Sequence, residues 1–231
     1  MTMPAPDEIA QRAAQLRGSV DAAAERAGRD PATVRILAVT KTWPIEVCRA
    51  ALAAGLPMLG ENRVQEAEAK VAALPDAEWH LVGSLQSNKV RRAVAVFGAI
   101  HSIDSEALLA RVEHAGHDAG RRPQVMLQVN TTAEPQKGGM AAAEALEPGM
   151  LSALRDLRHA RPVGLMTIAR AGADPHEAFA ALRRLRDELE QRAGLPLPEL
   201  SMGMSGDWEA AVREGATLLR IGTALFGGRP G

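Results

Sequence analysis

The stretch RILAVTKTWPIEVCRAALAAGLPMLGEN, residues 35–62, holds the pattern that decides the fold. ILAV is an unbroken apolar run, too short for a helix, and reads as a strand buried on both faces. Thr40, Lys41 and Thr42 follow it. Pro44 then opens a segment with helical apolar spacing that ends before Gly55 and Pro57. MLG begins a second apolar run. Strand, helix and strand in so short a space is the parallel βα unit.

The same alternation extends outward in both directions. Apolar runs at 35–41, 58–62, 79–84, 100–104, 124–130, 163–169, 199–205 and 218–226 read as strands. Helical segments lie between and after them at 44–54, 64–74, 88–97, 105–119, 140–160, 175–193 and 208–214. An amphipathic helix at 7–28 precedes the first strand, with Ile9, Ala13, Leu16 and Val20 on one stripe. About eight βα-like units in 231 residues fit an α/β chain folded as a single (β/α)8 TIM barrel, whose usual size is about 250 residues. A doubly wound open sheet is the rival. No linker or shift in composition divides residues 1–231, so one domain is expected.

Composition narrows the function. With 27 Lys+Arg against 28 Asp+Glu, the chain offers no general basic surface for nucleic acid. Cys48 is the single cysteine, which excludes an intrachain disulfide, and no Cys/His spacing resembles a zinc site. The first twelve residues lack a secretory apolar region, and the longest apolar stretch, 50–59, is broken by Gly55 and Pro57. It falls far short of the roughly 20 residues that cross a bilayer. A soluble cytoplasmic protein is expected. The chain has no tyrosine, and its four lysines are Lys41, Lys70, Lys89 and Lys137.

In such a barrel the reactive mouth lies at the C-terminal ends of the strands. Lys41, Asn62, Ser84, Asp104, Asn130, Thr167 and Ser205 stand at expected strand ends. Lys41 directly follows a buried strand, where partial desolvation favours the neutral amine and hence Schiff-base chemistry. A lysine reaching past the strand end into solvent is the alternative. Lys70 and Lys89 lie in helical segments and read as solvated, and Lys137 sits in a glycine-flanked loop. Ser205 and Gly206 close the seventh run, while Gly222 and Thr223 lie in the eighth; the loops after those strands commonly hold phosphate in this fold. Asp207 opposes an anion there unless its side chain turns away. Arg220 shares its strand face with Leu218 and Gly222, so it points inward and needs a ring nitrogen or carboxylate. An imine-forming lysine, a phosphate cradle and a donor to a ring nitrogen together describe pyridoxal 5′-phosphate.

The motifs AVTKT (38–42), GENRVQEAEAK (60–70), WHLVGSLQSNK (79–89), HSID (101–104), LQVN (127–130), GLM (164–166), LSMGMSGDWEAAV (200–212) and RIGTALFG (220–227) carry a resemblance along nearly the whole chain. It resembles the pyridoxal phosphate homeostasis protein family, and more distantly the alanine racemase N-terminal barrel. The resemblance implies that Lys41 carries the cofactor as an internal aldimine and that Asn62 lies by its ring or 3-hydroxyl. It further implies that Arg220 faces the pyridine nitrogen and that Ser205, Gly222 and Thr223 hold the phosphate. The loop 130–139 is a looser version of the family's pattern.

Three classes of function compete. An amino-acid racemase of the alanine racemase type needs a base on each face of the substrate carbon. Its racemase relatives use a tyrosine from a second domain of a partner, for which the chain has neither a tyrosine nor room. His80 in its apolar strand reads instead as a hydrogen-bonded core histidine. A phosphate-binding aldolase would use Lys41 but has no evident use for Arg220. The expectation is a monomeric, non-catalytic protein that binds pyridoxal 5′-phosphate, keeps the free aldehyde low and delivers it to apo-enzymes. His114 and His117, three apart on a helix, and the Arg-rich segment 181–194 read as solvated faces.

Overall fold

A computed structural model describes residues 3–132, 138–170, 172 and 174–228. Eight parallel strands form its centre: β1 Arg35–Val39, β2 Met58–Glu61, β3 Glu78–Leu81, β4 Ala99–Ile103, β5 Gln124–Gln128, β6 Arg161–Met166, β7 Glu199–Ser201 and β8 Leu218–Ile221. Each neighbours the next, and β8 returns to pair with β1, Arg35 beside Leu218 and Ala38 beside Ile221. That pairing closes the (β/α)8 barrel and excludes the open sheet.

The helices are α1 Pro6–Arg26, α2 Ile45–Ala53, α3 Val64–Ala73, α4 Val90–Val96, α5 Glu106–Ala119, α6 Ala142–Ala145, α7 Pro148–Asp156, α8 Pro175–Ala193, α9 Trp208–Arg213 and α10 Thr223–Phe226. Ser105 Oγ accepts the Leu108 N–H at 3.3 Å to start α5, and Asp174 Oδ1 accepts the His176 N–H at 3.0 Å to start α8. Gly120 and Gly194 end those helices in the left-handed region, which glycine enters without steric cost. The stripe Ile9, Ala13, Leu16 and Val20 is buried as expected, packing α1 against α2, α9 and α10. The extra helix thus braces the quadrant of the barrel that carries β8 and β1.

Strand alternation separates two cores. Ile36 and Ala38 join the apolar layer between sheet and helices. Leu37 points inward to a plug made with Met58, Met126, Val163, Met166 and Leu218. The plug fills the barrel below the mouth, so any ligand must sit above it.

Two expectations change. The segment 140–160 is two short helices, because Pro148 has no N–H and Glu147 before it is extended (φ −65°, ψ 147°). The strands also stop sooner: Lys41, Asn62 and Ser205 lie in loops, and Gly222 precedes α10 rather than continuing β8. Apolar residues run past the ladders because the mouth loops fold back over the core. The Lys137 expectation falls outside the described residues.

Candidate functional site at the barrel mouth

A cavity of about 330 Å³ opens at the C-terminal ends of β7, β8, β1 and β2. Lys41, Asn62, Ser205, Arg220, Gly222 and Thr223 all line it. The six expected site residues, up to 182 positions apart in the chain (41 to 223), meet at one place. Sequence reasoning missed Trp43 and the rim residues Ile168 and Met204, whose apolar side chains are exposed. It also passed over Val82, although inward alternation from His80 would have found it.

Arg220 forms part of the floor and is buried. Its Nη1 donates to Ser201 O at 2.5 Å and Ser201 Oγ at 2.8 Å, and Nη2 donates to Thr167 O at 2.8 Å. Two backbone carbonyls and one hydroxyl, rather than a carboxylate, therefore take three of the five guanidinium N–H groups. Nε and the second Nη2 hydrogen have no partner among the described residues. Burial lowers its pKa to about 10, with Asp207 acting the other way, and it stays cationic at neutral pH. The described lining holds two cationic side chains, Lys41 and Arg220, and no carboxylate, which favours an anionic ligand.

The loops after β7 and β8 are tied together. Ser205 Oγ accepts the Ala224 N–H at 3.1 Å. Asp207 turns back on its own loop, Oδ1 accepting the Met204 N–H at 2.5 Å; it is not among the residues lining the cavity, although its charge still acts on Arg220. Neither Gly206 nor Gly222 has a close atom where a Cβ would stand, Gly222's nearest being Val39 O at 3.5 Å. Their backbones face open space beside the hydroxyls of Ser205 and Thr223, a donor set suited to a phosphate.

Beneath Arg220 runs a buried polar chain. Ser201 Oγ lies 2.9 Å from His101 Nδ1, and His101 Nε2 lies 2.9 Å from His80 Nδ1. With Ser201 Oγ accepting from Arg220, its hydrogen is available for His101 Nδ1, and His101 Nε2–H for His80 Nδ1. His80 is a hydrogen-bonded core histidine as expected; its partner was not foreseen. Burial, then the charge of Arg35, lowers the His80 pKa to about 4. Burial, then His80 and Arg220, hold His101 well below the usual histidine value.

These shifts make stability depend on pH. In the unfolded chain His80 takes up a proton near 6.5, whereas in the fold it resists until about 4. The unfolded state thus binds more protons in that interval, and folding weakens as pH falls. His80 alone contributes on the order of 3 kcal/mol, complete above pH 6.5 and lost toward pH 4. Urea midpoints measured from pH 7.5 to 4.5 are expected to drop steeply below 6.5, and less steeply for His80→Gln. A flat profile in the unsubstituted protein contradicts a neutral buried pair.

Behind the cavity wall, Lys70 departs from its expected solvated position. It is 7% exposed, and its ammonium donates to Glu61 Oε1 at 2.7 Å, Glu66 Oε1 at 2.9 Å and Thr40 O at 3.1 Å. Burial opposes its charge, but the bonds to Glu61 and Glu66 outweigh that and raise its pKa. Thr40 Oγ1 donates to the same Glu61 oxygen at 2.6 Å. His114 and His117 do keep exposed side chains, and no metal-binding cluster occurs among the described residues.

Comparison with known proteins gives the family and the fold. The alanine racemase N-terminal domain family matches residues 12–230. The pyridoxal phosphate homeostasis protein of Pseudomonas aeruginosa is 45% identical over 227 residues, covering 96% of each chain. The chain belongs to the pyridoxal phosphate homeostasis protein family. PipY of Synechococcus elongatus PCC7942, in its structure with PLP bound, has a TM-score of 0.85 at 44% identity, covering 95% of this chain and 100% of PipY. Alanine racemase of Clostridium difficile 630, at 14% identity and a TM-score of 0.70, covers 86% of this chain and 53% of the enzyme, and shares the fold alone. No helix among the described residues is long and apolar enough to cross a membrane.

Proposed function

We propose that residues 1–231 form a single-domain, monomeric carrier of pyridoxal 5′-phosphate in the cytoplasm, which holds the cofactor at Lys41 without turnover and delivers it to apo-enzymes. The convergence of one amine, one guanidinium with spare donors and a hydroxyl–glycine cradle on one cavity carries this reading. The residues fit the group: about 330 Å³ is within the range of small-ligand sites, and the two cations suit a phosphate ester. Close relatives named for pyridoxal phosphate homeostasis, and PLP in PipY, support it.

When bound, pyridoxal 5′-phosphate supplies an aldehyde that condenses with an amine and releases water. Lys41 offers that amine from the cavity wall. The spare N–H groups of Arg220 are the donors for a ring nitrogen; a guanidinium does not give up its proton there, which leaves the nitrogen unprotonated and the ring a weak electron sink. Asn62 serves the ring or its 3-hydroxyl side, and Ser205, Gly222 and Thr223 hold the phosphate. The described lining has no carboxylate, imidazole, phenol or thiol to act as a base opposite Lys41. That favours a carrier over the racemase alternative.

Native protein incubated with pyridoxal 5′-phosphate is expected to turn yellow and bleach with borohydride, and peptide mass spectrometry is expected to place the reduced adduct on Lys41. An adduct confined to another lysine overturns the site. Racemisation of alanine or serine that depends on Lys41 overturns the carrier.

A further inference from the structure

Lys41 lies between two peptide groups that α3 grips from behind. On one side, Lys70 Nζ donates to the Thr40 carbonyl oxygen at 3.1 Å. On the other, Glu66 Oε1 accepts the Thr42 N–H at 2.7 Å, and the same oxygen accepts from Lys70 at 2.9 Å. A single ion pair, one helical turn long, therefore spans the residue proposed to carry the ligand.

The backbone shows why a restraint is needed. Thr42 has φ 68°, the one non-glycine residue with positive φ among the described residues. A β-branched side chain disfavours that region, so neighbouring contacts must hold the residue there. Its amide meets a charged acceptor, which makes a stronger hydrogen bond than a neutral one. Lys70 is in turn fixed by Glu61, which is fully buried on β2 with Oε2 unpartnered among the described residues. A buried pair with an unsatisfied oxygen is a poor device for stability alone, since apolar replacements often serve as well.

We propose that Glu66 and Lys70 are positioning residues, which clamp the Thr40 carbonyl and the Thr42 amide and thereby aim the Lys41 amine into the cavity. The clamp sets the direction of the Lys41 Cα–Cβ bond, leaving the phosphate cradle on β7 and β8 untouched. It also separates the two lysines by role. All three Lys70 donors are occupied, so Lys70 does not compete as a nucleophile. The inference rests on the proposed function, in that Lys41 is taken as the reacting amine.

Two ligands tell positioning from general structural damage. Pyridoxal 5′-phosphate needs the aimed amine; pyridoxine 5′-phosphate has the same ring and phosphate but no aldehyde. In Glu66→Ala, borohydride-trapped capture of pyridoxal 5′-phosphate is expected to slow at least about tenfold, with pyridoxine 5′-phosphate affinity changed less than about twofold. Glu66→Gln keeps an oxygen for the Thr42 N–H and is expected to recover most of the rate. The paired Glu61→Gln/Lys70→Met variant frees Thr40 without stranding a buried charge, and is expected to behave like Glu66→Ala. Capture at the unsubstituted rate in both clamp variants overturns the inference, as does a parallel loss of pyridoxine 5′-phosphate binding. No capture by the unsubstituted chain overturns the functional reading, and the inference with it.

Discussion

Replacing Lys41 with alanine is expected to abolish the borohydride-trapped adduct and to weaken pyridoxal 5′-phosphate binding on the order of 100-fold, equivalent to about 2.7 kcal/mol. The side chain removed is the amine at the cavity wall, while Arg220 and the Ser205–Thr223 cradle remain. Residual affinity should therefore match that for pyridoxine 5′-phosphate, which depends on the cradle alone. Lys41→Arg is the sharper control. It keeps the positive charge, yet a guanidinium stays protonated and forms no imine, so the adduct should be lost with less weakening of phosphate binding. Absorbance titration and intact mass after reduction read both. Full adduct formation in Lys41→Ala, carried by Lys70 or Lys89, would sink the assignment; the filled donor shell of Lys70 argues against it.

The second large effect comes from a glycine rather than a reactive group. A Cβ on Gly83 would lie 2.3 Å from Asn62 O, 2.8 Å from Asn62 Cα and 2.9 Å from Asn62 C. These are backbone atoms, so no side chain can swing aside. Val82 N donates to Glu61 O at 2.9 Å next to the collision, extending the β2–β3 ladder to the mouth. Gly83→Ala is expected to part those segments, at a cost on the order of 3 kcal/mol, and to displace Asn62 from the cavity wall. For a chain this size that lowers Tm by roughly 10 °C, read by calorimetry, with ligand affinity falling in step. A Tm within about 2 °C of the unsubstituted protein would show that the backbone there yields more easily than the geometry implies.

The contrast between Lys41 and Lys70 shows where local reading stops. Lys41 was legible because it directly follows a continuous apolar run, and a residue at the C-terminal end of a barrel strand faces the mouth. Arg220 was legible for a related reason: alternation from Leu218 turns it inward, although its acceptors proved to be the Ser201 carbonyl and hydroxyl on β7 and the Thr167 carbonyl after β6. Lys70 sits among EAEAK, a helical stretch rich in polar residues, and nothing within α3 marks it as buried. Its environment comes from Thr40, just after β1, and Glu61 on β2, brought beneath it by the pairing of Ala38 with Leu59 and Val39 with Gly60. The histidines behave alike: His80 and His101 each look solitary until β3 and β4 lie side by side inside the barrel.

Periodicity and turn chemistry thus indicated about eight βα units, the bracing first helix and a set of polar residues at the strand ends, because each depends on interactions within a few residues along the chain; the family resemblance narrowed that set to the six residues of the mouth. Tertiary structure alone decided the closure of β8 onto β1, the early strand ends, the buried polar chain beneath Arg220 and the contacts of Glu66 and Lys70 around Lys41. Those features depend on strand register and on which side chains meet across distant elements, and local sequence carries no record of either.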